Sequence, residues 1–508
     1  LFDVSSSISP PFASSVILYG NKKCDKINKR QVKIMSVATM TPNTKNRNGK
    51  NGKEYISAIM LMGIFTFVFL DCEYLFVNMI SLSTVESKTV AAQNYSLGLS
   101  ALGFVLCPIL LNRLGKIAKA ATTAATAVLS IGLIIMICNH ISYTATLISG
   151  MLLFTLLGGI GSTAIYKALL LIKNKKHLAK TVGVSYMTGT LLQFINNNVI
   201  LSDWTQAAIL SIFLCVLAIM LIKIKSDVKL SDKRLNNNEA SRKGVSAIMI
   251  CLIILVALIT FIFSTLDNAV TLYHASGATD IGQSPRILLA LSGLVAGFLF
   301  DIKERKYMSI IMYCVMILST ICLVIIQFSA PFLIGLAVFY LSAGFFAVFF
   351  TASFMEIAEY TKAPSLFAGL GRAVNNITAA AITGGSLSLL SSNNNILIII
   401  VELILFTAIS IVMLIYTNER NILLAEPKIE GTKKADSEEK FKIINEDYSF
   451  TPREAEVFKL LVTTDNDLQT IADEMYISKR TLERHISSIY KKTQAKSRIG
   501  LISIYSST

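Results

Sequence analysis

Apolar runs of about 20 residues, separated by short polar segments, dominate the chain between residues 55 and 416. A helix of about 20 mostly apolar residues is long enough to cross the hydrocarbon core of a bilayer. The pattern therefore predicts an all-α fold, a polytopic bundle of twelve membrane-spanning helices in two sets of six. Their predicted bounds are 55–76, 90–111, 118–138, 145–165, 182–200, 206–222, 245–266, 283–300, 307–326, 332–354, 365–390 and 396–416.

Polar segments divide the chain into six regions. The predicted regions are a disordered basic N-terminal tail (1–54), a first six-helix half (55–223), a connecting loop (224–244), a second six-helix half (245–416), a charged linker (417–449) and a C-terminal four-helix domain (450–508). The linker has no clear apolar period, so we expect a flexible coil with an end-to-end distance of roughly 30 Å. Such a coil would tether the C-terminal domain without fixing its orientation.

The distribution of Lys and Arg predicts the orientation of the chain in the membrane. The 508 residues are 53% hydrophobic and 16% charged, a composition that soluble domains do not have. Lys and Arg, which give a net charge of +15, concentrate in the loops after the second, fourth, sixth and eighth runs. Because basic loops stay on the cytoplasmic side, we predict a multi-pass protein of the inner (cytoplasmic) membrane with both termini in the cytoplasm.

Residue types that ligate metals or act as nucleophiles are scattered along the chain. The eight cysteines show no CxxC spacing, and the four histidines do not cluster. This distribution argues against a disulfide framework and against a zinc site. Gly158, Gly159 and Gly161 precede no GK[ST] sequence, so they indicate close helix packing rather than a phosphate-binding loop. We therefore expect no bound cofactor and no enzymatic activity.

Several polar or charged residues fall inside the predicted membrane helices, where such side chains are costly and usually face the bundle interior. The candidates for ligand contact are Asp71, Asn197, Arg372, Asn375, Asn376 and Glu402. One interpretation is a central cavity that binds a small polar or charged ligand near the midplane of the bilayer. The alternative is that these residues make interhelical hydrogen bonds or lie at the membrane interface.

The residues after 450 show capped helical patterns at short spacing. Thr451 and Glu454 form a capping-box sequence at the start of the first helix. Asp467 can cap a second helix, and Ser478 can cap a third that runs to Lys492. Two helices joined by so short a turn predict a helix-turn-helix, whose second helix normally lies in the major groove of DNA.

This stretch resembles the LuxR-type DNA-binding domain. The matching residues are Thr451-Pro452-Arg453-Glu454, Glu456-Val457, Ile471-Ala472, Ile477-Ser478, Thr481, His485, Ile489-Tyr490, Lys492 and Ser497-Arg498. The sequence departs from the family at residues 464–466, where a glycine is usual, at Leu482, where Val is usual, and at Thr493, where Leu is usual. These departures affect the packing of the domain.

The resemblance implies that the domain binds double-stranded promoter DNA as a homodimer. The positions at which the family contacts base edges are Glu483, Arg484 and Ser487. The positions near phosphates are Lys479, Arg480, Thr481, Lys491 and Lys492. The fourth helix, which pairs the two domains in the family, carries Ile499, Ile502 and Tyr505. RNA polymerase is a further candidate partner.

The two sets of six runs echo each other. Residues 65–69 read FTFVF and residues 259–263 read ITFIF. Asp301 and Arg305 belong to a loop signature after the eighth run, and Asn112 replaces the aspartate in a degenerate copy after the second run. Two six-helix halves with this signature resemble the major facilitator superfamily, whose halves are parallel repeats.

Together these features predict a membrane-anchored one-component transcription regulator. It would sense a small ligand through the twelve-helix domain and bind promoter DNA through the C-terminal domain. The alternative is an active secondary transporter of the major facilitator type with a regulatory DNA-binding domain. The two hypotheses differ in whether the cavity couples to a proton or ion gradient, and the degenerate signature in the first half favours the sensor.

Overall fold

A computed structural model of the chain describes residues 43–200, 202–224, 239–276, 285–327, 332–392, 394–464 and 466–507. Within these ranges, helices are the only regular secondary structure. The chain divides into two compact units, residues 1–57 and 58–508, and the first contains only the start of a helix among the described residues. Most of the predicted tail (1–42) and of the predicted connecting loop (225–238) lies outside them.

Twelve helices of 16 residues or more precede the C-terminal domain in the described part of the chain, and each overlaps one predicted span. They are α1 Asn43–Ser81, α2 Glu86–Asn112, α3 Lys116–Asn139, α4 Tyr143–Leu171, α5 Leu178–Val199, α6 Asp203–Lys223, α7 Glu239–Ala275, α8 Pro285–Phe300, α9 Met308–Gln327, α10 Phe332–Ala358, α11 Leu370–Ser391 and α12 Asn395–Tyr448. A single helical turn, Pro364–Phe367, precedes α11. The predicted all-α fold is confirmed.

Eight of these helices are long and apolar enough to cross a membrane, namely α1 to α4, α6, α7, α10 and α12. Shorter apolar stretches, Ile287–Phe300 and Met308–Ile321, lie in α8 and α9. The remaining two, α5 and α11, carry more polar residues, among them Gln193 and Arg372. The bundle is that of a membrane protein, and crossing by all twelve helices stays a prediction.

Parts of three segments predicted to lack regular structure are helical among the described residues. α1 begins at Asn43, inside the predicted tail, and α7 begins at Glu239, inside the predicted loop. α12 continues to Tyr448, so the prediction of a flexible linker over 417–449 is wrong. The linker lacks an apolar period, but it is rich in Glu and Lys, which favour a helix that a preceding turn has already nucleated.

Glycines bring helices of the bundle into close contact. α5 of the first half crosses α8 of the second half where Gly183 faces Gly297. A methyl group on Gly183 would lie 2.6 Å from the carbonyl oxygen of Gly293 and 2.8 Å from the Cα atom of Gly297. Larger side chains here would force the two helices apart, so the glycines set the closeness of this contact between the halves.

The C-terminal domain, here called the head, has four helices. They are α13 Pro452–Thr463, α14 Leu468–Glu474, α15 Lys479–Thr493 and α16 Arg498–Ser507. All three predicted caps are present, because Thr451, Asp467 and Ser478 each accept a hydrogen bond from the backbone amide three residues on. The head has a hydrophobic core of its own, to which the end of α12 contributes Phe441 and Ile444.

Arg498 fixes the loop between α13 and α14, where the sequence departs from the family. Its guanidinium donates hydrogen bonds to the backbone carbonyl oxygens of Leu461 (2.8 Å), Asn466 (2.7 Å) and Thr464. Such bonds satisfy carbonyl groups that a helix end leaves without partners. Thr464 and Asn466, the described residues at this departure from the family, are therefore held by Arg498 without the glycine that is usual there.

Candidate DNA-binding surface and membrane cavity

One face of α15 is buried in the head and the opposite face is exposed. Leu482, Ile486 and Ile489 form the buried stripe, with exposed fractions of 0%, 8% and 0%. The residues predicted to contact DNA are all exposed: Lys479, Arg480, Thr481, Glu483, Arg484, Ser487, Lys491 and Lys492. The predicted buried stripe is confirmed, and contact of the exposed face with DNA stays a prediction.

Two of the eight residues also serve the fold of the head. Lys492 Nζ lies 2.6 Å from Glu454 Oε2 and 2.9 Å from the carbonyl oxygen of Ser449. The Thr481 hydroxyl lies 2.8 Å from the hydroxyl of Ser478, the N-cap of α15. Changing Lys492 or Thr481 would therefore disturb the fold as well as any contact with DNA.

Glu454 is a buried carboxylate that joins α13 to α15. It is 5% exposed and accepts hydrogen bonds from Lys492 Nζ (2.6 Å), Ser488 Oγ (2.5 Å) and the backbone amide of Thr451 (2.7 Å). Burial raises the pKa of Glu454, but the hydrogen bonds from Lys492, Ser488 and Thr451 outweigh it and lower the pKa to about 2. The head is thus stabilised by the charged form of this residue.

Replacement of Glu454 by glutamine is expected to lower the free energy of unfolding of the head by about 3 kcal/mol at pH 7, because each pKa unit corresponds to about 1.36 kcal/mol. The pKa is depressed from the ordinary value of 4.5 to about 2. The stabilisation is therefore present above pH 4.5 and is lost as the pH falls towards 2. Urea unfolding of a fragment of residues 440–508 at pH 7 and at pH 3 would measure both effects.

The matched control for this prediction is Glu456→Gln. Glu456 pairs with Arg453 at 2.8 Å, but the two side chains are 58% and 60% exposed. An exposed pair of this kind contributes little, so we expect a change of less than about 0.5 kcal/mol. Equal losses in the two variants would contradict the role assigned to Glu454.

A cavity of about 180 Å³ lies between helices of both halves. Three predicted ligand residues line it, Arg372, Asn375 and Asn376, which share one face of α11 at positions i, i+3 and i+4. Further polar lining residues are Glu73, Gln93, Asn94 and Asp267. The cavity therefore combines one cationic, two acidic and several amide side chains.

The other three predicted ligand residues, Asp71, Asn197 and Glu402, do not line this cavity. Asp71 is two residues from Glu73 and so lies on another side of α1, where its Oδ2 accepts a hydrogen bond from Asn196 Nδ2 of α5 (2.6 Å). Asn197 follows Asn196 on α5, and Glu402 lies on α12, a helix that contributes no lining residue. Three of the six predicted ligand residues therefore line this cavity, and ligand contact by any of the six stays a prediction.

Gln93, Asn94 and Asp267 line the cavity although they do not stand out in the sequence. Gln93 Nε2 donates to Glu73 Oε1 (2.6 Å), and Asn94 Nδ2 donates to Asn268 Oδ1 (2.7 Å). All three residues lie near an end of a predicted apolar run, where polar side chains are expected to reach the membrane interface. Asp267 lies just beyond the seventh predicted run. That position is the one sequence signal that could have indicated a polar residue in the cavity.

The loops of residues 113–119, 173–180 and 301–307 are basic, and the end of the bundle at which they lie is here called the basic end. Four charged residues form a buried cluster at this end. This basic-end cluster consists of Asp301, Arg305, Glu356 and Arg420. Arg305 donates through Nε to Glu356 Oε1 (2.8 Å) and through Nη1 to Asp301 Oδ1 (3.1 Å). Arg420 of α12 is 1% exposed and donates through Nε to Glu356 Oε2 (2.9 Å).

The same cluster connects the second half to the first. The two carboxylate oxygens of Asp301 accept hydrogen bonds from the backbone amides of Ala179 (3.1 Å) and Lys180 (2.6 Å), at the start of α5. A carboxylate is favourable at this end of a helix because the helix dipole is positive there. Arg305 Nη1 also donates to the carbonyl oxygen of Lys175 (2.6 Å). The cluster thus joins α5, α10 and α12.

Residues 448–505 match the sequence profile of the luxR family of bacterial regulatory proteins (GerE). They form a LuxR-type helix-turn-helix domain. The capped helices, the short turn and the exposed basic face of α15 agree with that assignment, and a LuxR-type domain implies binding to DNA. The match covers the head, and the membrane bundle lies outside it.

The membrane bundle has the fold of major facilitator superfamily transporters. One similar structure is the crystal structure of FucP, a transporter of this superfamily, in the outward conformation. Its TM-score is 0.50 and its sequence identity is 12%. The superposition covers 72% of this chain and 98% of the FucP chain. Two further structures are similar. The E. coli fucose:proton symporter FucP has a TM-score of 0.48 and 14% identity, and the superposition covers 72% of this chain and 98% of the FucP chain. The nucleoside transporter NupG has a TM-score of 0.45 and 12% identity, and the superposition covers 72% of this chain and 99% of the NupG chain. At these identities the likeness concerns the fold alone. A search of curated proteins finds no match.

Proposed function

We propose that this chain is a membrane-anchored one-component transcription regulator. A small ligand in the cavity would change the bundle, α12 would carry that change to the LuxR-type head, and the head would bind promoter DNA. The observation that carries the proposal is the continuity of α12. This one helix contributes Arg420 to the basic-end cluster and Phe441 and Ile444 to the core of the head.

The basic-end cluster supports the membrane side of this mechanism. Its charges are buried, and removing a buried charge from its partner costs several kcal/mol. Separation of the two halves at this end would pull Asp301 from the start of α5 and disturb the contacts of Arg305 with Glu356. Glu356 is also the partner of Arg420, so a change between the halves would reach α12.

The other end of α12 supports the step into the head. Phe441 stacks on Tyr505 of α16, with ring centroids 4.9 Å apart, and meets the edge of Phe458 of α13 at 6.2 Å. Tyr505 belongs to the face that the family resemblance assigns to dimerisation, and Ile499 on α16 is 78% exposed. A shift of α12 would change how much of this face is available to a second head, consistent with a homodimer on two half-sites of DNA.

The distribution of basic residues supports the cellular arrangement that this function needs. The loops at the basic end would face the cytoplasm under the positive-inside rule, in the inner membrane of a bacterium. Both termini and the head would then lie on the side where promoter DNA and RNA polymerase are found. Either activation or repression of transcription would fit this arrangement.

A second candidate is an active secondary transporter whose head has a regulatory role. The fold and the charged cavity favour it, since transporters of this fold bind substrates between two six-helix halves. Gradient-driven uptake of a cavity ligand into vesicles that contain the purified chain would support this candidate. DNA binding by the head that depends on the ligand, without uptake of that ligand into vesicles, would support the sensor.

The sensor is tested by mapping the promoters bound by the full chain in cells, with and without candidate ligands, and by the same measurement on residues 440–508 alone. We expect ligand to change the occupancy of a defined set of promoters for the full chain. The fragment should bind related sites without responding to ligand. Occupancy that is the same for the full chain in every condition would contradict sensing through the bundle.

A further inference from the structure

Helices α1 and α5 of the first half are in close contact. A methyl group on Gly189 of α5 would lie 2.6 Å from Thr66 Cβ and 2.7 Å from the carbonyl oxygen of Gly63, both on α1. About one turn further along the two helices lie Asp71 of α1 and Gln193 of α5. The gap between the helices at this level is therefore narrow.

The amide groups in this gap are oriented by α1. Gln193 Nε2 donates to the carbonyl oxygen of Leu70 (2.9 Å), and Asn196 Nδ2 donates to Asp71 Oδ2 (2.6 Å). A backbone carbonyl and an ionised carboxylate only accept hydrogen bonds, so each amide must present its nitrogen to them. These bonds fix which atom of each amide is the nitrogen and which is the oxygen.

The amide oxygens of the same face of α5 are buried without hydrogen-bond donors. Gln193 and Asn196 are 0% and 2% exposed, and neither Gln193 Oε1 nor Asn196 Oδ1 has a hydrogen-bond partner among the described residues. Asn197 follows at the i+4 position from Gln193, and both atoms of its amide are buried without a partner there. Buried acceptors without donors cost free energy, which a bound group can offset.

We propose that these three amide oxygens, together with the carboxylate of Asp71, bind a sodium ion between α1 and α5. Asp71 is 1% exposed and accepts the hydrogen bond from Asn196, so its carboxylate lies beside the amide group of that residue. Carboxylate and amide carbonyl oxygens are the ligands that hard cations prefer. The site lies outside the ligand cavity, so it goes beyond the proposed function and does not depend on it.

The ligand set and the width of the gap favour Na⁺ over other cations. Asp71 is the one carboxylate among the four side chains, and affinity for Ca²⁺ rises with the number of charged ligands. Zinc prefers cysteine sulfur and histidine nitrogen, which the four side chains do not offer. The close contact at Gly189 leaves less room for the larger K⁺ ion.

The proposed sodium site lies near the end of α5 that points away from the basic end. α5 begins at Leu178, beside the basic-end cluster, and ends at Val199, two residues after Asn197 or about 3 Å along the helix. Asn198 and Val199 are exposed. An ion from the solution on that side of the membrane would therefore have a short path to the site.

The test measures binding of Na⁺ to the purified full chain in detergent, by calorimetry and by the shift in melting temperature. Choline chloride keeps the ionic strength constant. We expect saturable binding of one Na⁺ per chain, with an affinity at least tenfold higher than that for K⁺ or Ca²⁺. The proposal would be overturned by the absence of saturable Na⁺ binding, or by an affinity for K⁺ or Ca²⁺ that equals or exceeds that for Na⁺.

Two variants and a matched control assign the ligands. Asn197→Ala removes an amide that makes no hydrogen bond among the described residues, and it should weaken Na⁺ binding at least tenfold without loss of a contact in the fold. Asp71→Asn, which removes the one charged ligand, should abolish saturable binding. Asn198→Ala is the control, because Asn198 is exposed and its Nδ2 donates to the carbonyl oxygen of Phe194.

The control should bind Na⁺ with the affinity of the unaltered chain. Equal affinities of Asn197→Ala and Asn198→Ala for Na⁺ would overturn the assignment of the site to this face of α5. Should Asp71→Asn fail to fold, the comparison of the two asparagine variants still decides the matter. Promoter occupancy plays no part in these measurements, so failure of the proposed function would leave their outcome unchanged.

Discussion

Replacement of Arg420 by glutamine is expected to abolish the effect of ligand on promoter binding while the head keeps its affinity for DNA. Arg420 is 1% exposed, and its Nε and Nη2 atoms lie 2.9 and 2.8 Å from Glu356 Oε2. This contact is where α12 joins the basic-end cluster, so its loss should disconnect the bundle from the head. The coupling free energy between two sites is typically about 1–3 kcal/mol, which is a change of about 5- to 150-fold in affinity. In the variant we expect ligand to leave the affinity for promoter DNA unchanged.

The variant must also be checked for stability. Breaking a buried ion pair costs roughly 3–5 kcal/mol, although here Glu356 keeps its contact with Arg305. The amount of protein in the membrane should therefore be measured beside promoter occupancy. Lys175→Gln is the matched control, because it removes an ion pair with Glu359 (2.5 Å) at the same end of the bundle without involving α12. A normal ligand response by Arg420→Gln, at normal protein level, would show that coupling does not pass through this residue.

Arg484→Ala is expected to cost roughly 1–3 kcal/mol in binding to the cognate site and to relax the sequence preference of the head. Arg484 is exposed on the face of α15 opposite the buried stripe, at a position where the family contacts base edges. An arginine there can bind the two acceptors of guanine in the major groove. Titration of residues 440–508 against cognate and scrambled duplexes would show a loss confined to the cognate duplex.

The matched control is Lys491→Ala. Lys491 is exposed on the same helix and is predicted to lie near a phosphate, whereas Lys492 forms an ion pair with Glu454 and would confound affinity with stability. Loss of one phosphate contact should weaken binding to both duplexes about equally and reduce the salt slope by about one unit. If Arg484→Ala also weakened both duplexes equally, Arg484 would be a phosphate contact and the reading face would need another assignment.

Local sequence rules account for the helices and for the head. Apolar runs of sufficient length predicted twelve helices, and each run coincides with a helix in the structure. The caps at Thr451, Asp467 and Ser478, together with Leu482, Ile486 and Ile489, predicted the head down to its buried stripe. These features depend on residues within a few turns of one another, which is why the sequence by itself determined them.

Tertiary structure decided which polar residues meet. Arg372 lines the cavity and Glu402 does not, although each is a charge within an apolar run, because the rotation of each helix and its neighbours determine where a side chain points. Arg420 appeared to belong to a solvated linker, yet it is buried against Glu356, 64 residues earlier in the chain. Burial of this charge depends on its ion pair with Glu356, and local periodicity contains no information about so distant a partner. The contacts of α12 with Glu356 at one end and with the core of the head at the other are likewise tertiary, because their partners lie far away in the sequence.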